Sequence, residues 1–359
     1  MTDLHSGLSR EQVEQTAAAI AAIQLRCGAI PWFRGHMLDA WNHVEAAMAL
    51  DVAGRHDEAL AAYDWLRDNQ NPDGSWYRSY RESSSGEMSP DDFGRESNHA
   101  AYLAVGMLHR LLVTGDEAFV DRMWPTLTAA LDFVLRLQLP GGEIRWAVNP
   151  DDTPSPMSLL TGCSSMFHGL RCALDLARRR NEPQPDWELA AAMLGHAVAT
   201  HPERFSPRER YSMDWYYPVL GGALRGEAAR SRLAADWDAF VVPGLGVRCV
   251  NDHPWVTGAE TCELAIALCA IGDLDGARAA FADMQHLRHA DGGYWTGYVF
   301  PDDAIWPAEL TSWTAAAVVL AAAVLDGEPA TTYVFTGDRL PVGADEVATT
   351  CEECAVRAG

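Results

Sequence analysis

The sequence predicts an all-α protein, an (α/α)6 barrel in which six helical hairpins close into a toroid, and three observations carry that prediction. First, a polar helix stop recurs. Gln70-Asn-Pro-Asp-Gly-Ser-Trp76 is echoed by Gln24 to Trp32 with Gly28 and Pro31 between, by Gln138 to Trp146 with Gly141 and Gly142, and by Asp291-Gly-Gly-Tyr-Trp295, where His289 takes the place of the Gln. A Gly after the last helical turn relaxes the backbone, and the Trp that follows can fold back onto the helix just ended. Second, helical segments alternate between a charge-mixed kind and a charge-poor kind. Third, the 359 residues are 48% hydrophobic with no Pro/Ser/Gly-rich linker, which favours one large closed body.

The elements follow in order. Residues 10–26 carry Val13, Ala17, Ile20 and Ile23 at helical spacing with Ser9 as N-cap, and a second helix over 39–53 is entered through Asp39. Outer helices are then expected at 57–69, 117–138, 186–200, 227–239 and 274–287, where charged residues share the helix with an apolar stripe. Inner helices are expected at 97–113, 160–178, 213–225, 257–271 and 309–325, which are rich in Ala, Gly, Met and Leu. With the first pair this makes six outer and six inner helices. The connections Trp76 to Arg95 and Gly141 to Ser158 are long and rich in Asp, Pro, Gly and Ser, so long loops gather on one face of the ring, where a site belongs. The barrel is assigned to 1–326, and 327–359 is read as an irregular C-terminal extension opening with a strand at Thr331 to Phe335.

Charge narrows the partners. The net charge is −23 and all 27 basic residues are Arg, which repels nucleic acid, anionic lipid and polyanionic substrates at long range. The first twelve residues lack a basic segment followed by an apolar one, and Trp313 to Leu325 is too short to span a bilayer, so a cytoplasmic location is expected. Cys163, Cys172, Cys262 and Cys269 lie within apolar helical patterns and read as buried thiols. Cys351 and Cys354 form a lone Cys-x-x-Cys, a weak metal or redox signal. No His-x3-His or His-Glu-x2-His spacing supports a metal, no cofactor is called for, and the oligomeric state stays open, a homo-oligomer included.

Aligning the inner helices by their apolar runs places polar and aromatic groups in their first turns. These are Asp39, Trp41, Asn42, His43 and Glu45; Asn98 and His99; Ser164 and Ser165; Asp214, Trp215, Tyr216 and Tyr217; Glu260 and Glu263; and Glu309, Thr311 and Trp313. Several carboxylates converging on one cavity are costly unless paired or working. Each also has a structural reading. Asp39, Asp214, Glu260 and Glu309 suit N-caps or first-turn acids, Asp39 above all. Glu45 and Glu263, one turn deeper, can be paired with Arg or Trp donors, and His43 and His99 can be hydrogen-bonded wall residues. Trp41, Trp215, Trp255, Trp295, Trp306 and Trp313 offer flat platforms beside these acids, which suits the C–H face of a sugar ring or a carbocation.

The Gln-x3-Gly-x-Trp turn resembles the toroid of terpenoid cyclases and protein prenyltransferases, with echoes in four of the six hairpins. The Asp-x-Asp-Asp acid motif of the cyclases is absent, and Asp91-Asp92, Asp151-Asp152 and Asp302-Asp303 lack the further acid of a metal-diphosphate motif. The same toroid carries inverting glycoside hydrolases. Asp39-Ala-Trp-Asn-His-Val-Glu45, Met213-Asp-Trp-Tyr-Tyr-Pro218 and Thr257-Gly-Ala-Glu-Thr-Cys-Glu263 resemble their sugar-binding first turns. The whole chain is similar to actinobacterial proteins labelled prenyltransferase-like, the mycobacterial methylmannose polysaccharide hydrolases among them. That resemblance implies an endo-acting α-1,4-mannosidase on a neutral, partly O-methylated mannan. The expected mechanism uses Glu260 as acid, since Trp255, Val256 and Ala259 disfavour its ionised form, and Asp39 or Glu45 across the ring as base. Asp214 and Glu309 stand in reserve for either role. Trp41, Asn42, His43, His99, Trp215, Tyr216, Glu263, Trp295 and Trp306 are the expected sugar contacts. The alternatives are an isoprenoid cyclase or prenyltransferase, a non-catalytic carbohydrate-binding toroid, and an epimerase using His43 and His99.

Overall fold

The computed structural model describes residues 5–83, 86–337 and 339–342. Its helices are α1 (Arg10–Ile23), α2 (Ala40–Val52), α3 (His56–Asp68), α4 (Ser97–Thr114), α5 (Glu117–Leu135), α6 (Leu160–Arg180), α7 (Pro185–Thr200), α8 (Ser212–Leu220), α9 (Gly226–Ala235), α10 (Trp237–Phe240), α11 (Gly258–Ala270), α12 (Leu274–Asp283), α13 (Ser312–Leu325) and α14 (Pro329–Thr336). The charge-poor helices α2, α4, α6, α8, α11 and α13 each pack on the next, and α13 returns onto α2 to close the inner ring. Burial separates the layers as the two compositions predict. In α13 every residue except Trp313 is buried, whereas α3 buries only the stripe Ala59, Ala62, Tyr63, Trp65 and Leu66.

The recurring helix stop ties each outer helix to the next one. Gln70 Nε2 donates to the Gly74 carbonyl of its own turn and to Thr126 O on α5; Gln24 does the same with Gly28 O and Glu58 O on α3, and Gln138 with Gly142 O and Ala190 O on α7. Gly74 has φ +91°, and a Cβ there would lie 1.9 Å from Ala129 O, so the turn needs glycine for both its conformation and its close approach to α5. In the fourth copy the residue standing four before the glycine is Arg288, not His289. Its guanidinium reaches Gln12 O and Gln15 Oε1 on α1, while Thr16 Oγ1 donates to Gly292 O, and this contact closes the outer ring. The side chain folded back into the core is two residues after the glycine: Ile30, Trp76, Ile144 and Tyr294, each at most 1% exposed. Trp32, Trp146 and Trp295 fall later in their turns and remain partly exposed. The signature is thus Gln or Arg, glycine, then a large apolar residue, and tryptophan fills the last place only at Trp76.

Several helix ends fall three or four residues from expectation, the segment expected as 227–239 breaks into α9 and α10, and two further differences are larger. Helix α8 stops at Leu220 because Gly221 and Gly222 follow, Gly222 with φ +88°. Thr331 to Phe335 is helical, not a strand. Glu328 accepts from the Ala330 and Thr331 amides and Pro329 opens the helix, and these end signals outweigh the β-branched composition. Helix α14 packs against α4, α11 and α13 at the far end of the barrel. There Thr331 Oγ1 lies 3.0 Å from His109 Nε2, and Val334 O accepts from His168 Nε2 at 2.9 Å. The start of the expected extension therefore plugs the barrel. Cys351 and Cys354 lie outside the described residues.

Every long connection opens onto the end where the inner helices begin, and three small antiparallel sheets brace these loops. Met37–Leu38, Ser79–Glu82 and Met88–Asp92 form one, Arg95–Glu96 and Ala147–Val148 a second, and Val241–Val242, Gly246–Arg248, Trp255–Thr257, Gly297–Val299 and Ala304–Ile305 a third. Among the described residues no single helix is long and apolar enough to cross a membrane.

Candidate active site

The inner helices start in register. Their N-caps are Asp39, Glu96, Leu159, Tyr211, Thr257 and Thr311. The third helical residue is then Asn42, His99, Gly162, Asp214, Glu260 or Thr314, and the sixth is Glu45, Tyr102, Ser165, Tyr217, Glu263 or Ala317. Residues three apart share a helix face, so these sets make two stacked layers at the mouth of the barrel.

The upper layer is built around Asp39. Its carboxylate accepts from the Asn42 amide at 2.9 Å, from Asn42 Nδ2 at 2.7 Å and from Trp32 Nε1 at 2.7 Å. It is the N-cap its position suggests, yet its bonds also fix it rigidly at the mouth. His99 Nε2 stands 3.9 Å from Asp39 Oδ1 and 3.3 Å from Glu96 Oε2. Glu96 is held in turn by Arg78 Nε at 2.8 Å and Trp146 Nε1 at 3.1 Å. Glu260 is 3% exposed and its Oε2 has no protein partner. Burial holds its carboxyl above the usual range, against the Thr257 and Cys249 side chains that favour the ionised form. Asp214 accepts from the amide and hydroxyl of Thr161, so it caps the neighbouring helix α6. Its carboxyl is raised by burial, with those bonds opposing.

The lower layer holds the second pair of acids. Tyr102 donates to Glu45 Oε1 at 2.8 Å, and Glu263 receives Tyr217 at 2.7 Å and Tyr216 on its other oxygen. Tyrosines, not the expected Arg or Trp donors, pair these acids. Burial pushes Glu45 up to about 8, with Tyr102 pulling down and Asp39 adding to the rise. Glu263 is raised well above its ordinary value by burial and then by Glu45. Trp41 meets Tyr102 edge-on at 5.4 Å and reaches Tyr217, on the helix across the ring, at 6.0 Å. Its indole thus lies over the lower layer and separates it from the mouth.

Several expected contacts are placed elsewhere. His43 accepts from the Ile30 amide through Nδ1 and donates to Ala62 O through Nε2, so it is a wall residue whose two nitrogens are both used. Trp215 is 3% exposed, stacks on Phe240 at 5.2 Å and donates to Arg232 O, which makes it core. Tyr216 is fully buried and serves Glu263. Glu309 lies three residues before α13 in the loop, with its carbonyl bonded to Thr296, outside the two layers. Trp295 packs against His289 at 5.2 Å and Trp306 is at the rim. Glu96, Trp32, Tyr102 and Cys249 are contributors that the first-turn alignment leaves out. The signal for Tyr102 was present, since it stands three residues after His99 as Glu45 stands three after Asn42.

Buried polar atoms without a protein partner at the inner-helix starts include Asn42 Oδ1, Asn98 Oδ1, His99 Nδ1, Ser212 Oγ, Glu260 Oε2 and Trp313 Nε1. Each such group costs about 1–3 kcal/mol if left unsatisfied. At the mouth of the barrel they are donors and acceptors that water or a polar ligand can satisfy. Among the described residues no cluster of three or more His, Cys, Asp or Glu is arranged to hold a metal ion.

No protein-family profile matches the chain. It is 54% identical over 338 residues to the MMP endo-(1,4)-3-O-methyl-alpha-D-mannosidase of Mycolicibacterium hassiacum, covering 94% of this chain and 92% of that protein. Among solved structures, a wild-type glycosidase superposes with a TM-score of 0.70 at 15% identity, covering 89% of this chain and 96% of the other. A D-mannose isomerase gives 0.66 at 12% identity, covering 88% and 96%. At such identities these two show the shared toroid alone. The extensive identity to the mannosidase, carried on this toroid, places the chain in the family of the MMP endo-(1,4)-3-O-methyl-alpha-D-mannosidase, a family of glycoside hydrolases.

Proposed function

We propose that this protein cleaves α-(1,4) bonds within a neutral, partly 3-O-methylated mannan by single displacement with inversion, Glu260 acting as general acid and Asp39 as general base. The observation that carries the reading is the set of unpartnered polar atoms in the first turns of the inner helices, beside the carboxyls of Asp39 and Glu260. Helices α11 and α2 are separated by α13, so the two acids are one helix apart and not diametrically opposed. With neighbouring helices about 9 Å apart, next-but-one axes in a ring of six stand about 16 Å apart.

In this scheme buried Glu260 keeps its proton and gives it to the departing glycosidic oxygen. Asp39, fixed by Trp32 and Asn42, takes a proton from the water attacking the anomeric carbon on the opposite face. Glu45 suits the base role less well, because it lies a turn deeper beneath Trp41 and burial favours its protonated form. His99, oriented by Glu96, stands beside Asp39 with Nδ1 free for a sugar hydroxyl. The net charge of −23 is compatible with a neutral glycan. A His-pair epimerase is disfavoured because both nitrogens of His43 are bonded to backbone.

The test is incubation of the purified protein with α- and β-linked manno- and gluco-oligosaccharides, O-methylated mannans included, with products followed by mass. Shorter oligosaccharides from the α-(1,4)-mannans are expected. Binding with no cleavage would replace this reading with a carbohydrate-binding toroid, and neither cleavage nor binding would refute mannan as the substrate.

A further inference from the structure

Two of the large hydrophobic side chains most exposed to solvent are aromatic, Phe93 at 52% and Trp306 at 56%, and both stand on the loops at the barrel mouth. Each is braced edge-on by a second ring. Tyr77 meets Phe93 at 5.2 Å and 70°, and Trp255 meets Trp306 at 5.1 Å and 74°. Their backbones are fixed as well. Trp255 Nε1 donates to Trp306 O at 2.7 Å, the Trp306 amide donates to Gly297 O at 3.0 Å, and beside Phe93 the Gly94 amide donates to Asp92 Oδ1 at 2.8 Å.

The ring order sets where these pairs lie. Tyr77 and Phe93 belong to the loop that enters α4, the second inner helix, and Trp255 to the loop that enters α11, the fifth. In a ring of six those helices face each other, with axes about 18 Å apart at ordinary helix spacing. The line from one pair to the other therefore runs over the layer that contains Asp39, His99 and Glu260. We propose that the two aromatic pairs are outlying sugar platforms, which hold units of a single polysaccharide chain on either side of the bond being cleaved.

The chemistry of the rims selects this occupant. Asp302 and Asp303 lie four and three residues before Trp306, and Asp91 and Asp92, paired with Arg81 and Arg78, adjoin Phe93. A second copy of a chain with net charge −23 is repelled as a whole, whereas a neutral glycan meets no such repulsion. A pyranose presents apolar C–H faces to a fixed ring, and each O-methyl group adds apolar surface and removes a hydroxyl that would need a partner. The inference rests on the hydrolase reading above and adds to it the path of the chain beyond the cleavage point.

The test compares wild type with Phe93→Ala, Trp306→Ala and the double variant, on O-methylated mannan and on manno-oligosaccharides too short to reach both rims. The readout is the ratio of kcat/KM on polysaccharide to that on the short substrate. A platform worth one aromatic contact should lower this ratio roughly fivefold to tenfold per site, mainly through KM, and Trp306→Tyr should restore most of it. An unchanged ratio, with folding verified by thermal melting, would overturn the proposal, as would a wild-type dimer that these variants dissociate. If the wild type cleaves neither substrate, the hydrolase reading fails. Affinity of wild type and variants for the mannan then still decides the platforms, since equal affinity would overturn them and weakened affinity would uphold them.

Discussion

Replacing Glu45 with Gln tests the cost of burying a carboxyl in the lower layer, and it also removes the charge that helps to raise Glu263. Glu45 is 4% exposed, accepts Tyr102 on one oxygen and has no protein partner on the other. Burial raises it from 4.5 to about 8. Between those values the folded protein keeps a proton that the unfolded chain has lost, so the unfolded state binds fewer protons and stability falls as pH rises. Below the lower value both states are protonated and the contribution is constant. The full span corresponds to a loss of at most about 5 kcal/mol by pH 8. Gln offers Tyr102 the same acceptor and places a donor where the protonated acid has one, yet does not titrate. At pH 5 the variant and wild type should therefore be of similar stability, and at pH 8 the variant should be more stable by about 2–4 kcal/mol. For 359 residues the unfolding entropy is about 0.75 kcal/mol per degree, so the difference in Tm should be about 3–5 °C. Thermal melts of both proteins from pH 5 to 9 measure it. Parallel curves for the two, or a variant less stable at pH 8, would refute the reasoning.

Other perturbations test other parts. Gly74→Ala must adopt φ +91° and push its methyl into Ala129 O, so a loss above about 3 kcal/mol is expected in urea unfolding, with full activity in the fraction that folds. Arg110→Met removes the guanidinium 2.8 Å from Asp51, a fully buried acid, and should cost about 3–5 kcal/mol because the carboxyl is left behind. Burial raises the Asp51 carboxyl, so low pH, which protonates the acid left behind, should recover part of that loss. Glu260→Gln should keep the fold and mannan affinity while losing about a thousandfold or more in kcat, and unchanged turnover would remove Glu260 from the chemistry.

Much of this architecture is legible because one physical device is repeated. A Gln at a helix end that satisfies two carbonyls, and a glycine that only glycine can replace, leave the same spacing in three hairpins, and charge content separates the layers by burial alone. The side chain that follows the glycine needs only to be large and apolar, so Ile30, Ile144 and Tyr294 serve where tryptophan is the visible cue. The carboxyls are legible for the same reason: equal offsets from six helix starts stack Glu45 and Glu263, and Asn42 and Glu260. Orientation within a turn is less legible. His43 and Trp215 share those first turns but rotate into the wall, because backbone partners at Ile30, Ala62 and Arg232 are supplied by segments distant in sequence. Helix α14 shows local end signals prevailing over composition, and the braces at the mouth come from pairing between loops of successive hairpins, which no single loop's sequence displays.

The most direct test of the central claim is the anomeric configuration of the first product. In a proton NMR time course on an α-(1,4)-linked O-methylated mannan, single displacement with Glu260 as acid and Asp39 as base predicts that the new reducing end appears first as the β anomer and then mutarotates. Appearance of the α anomer first would mean a covalent intermediate on a closer pair of carboxyls, and would contradict the roles assigned to both residues.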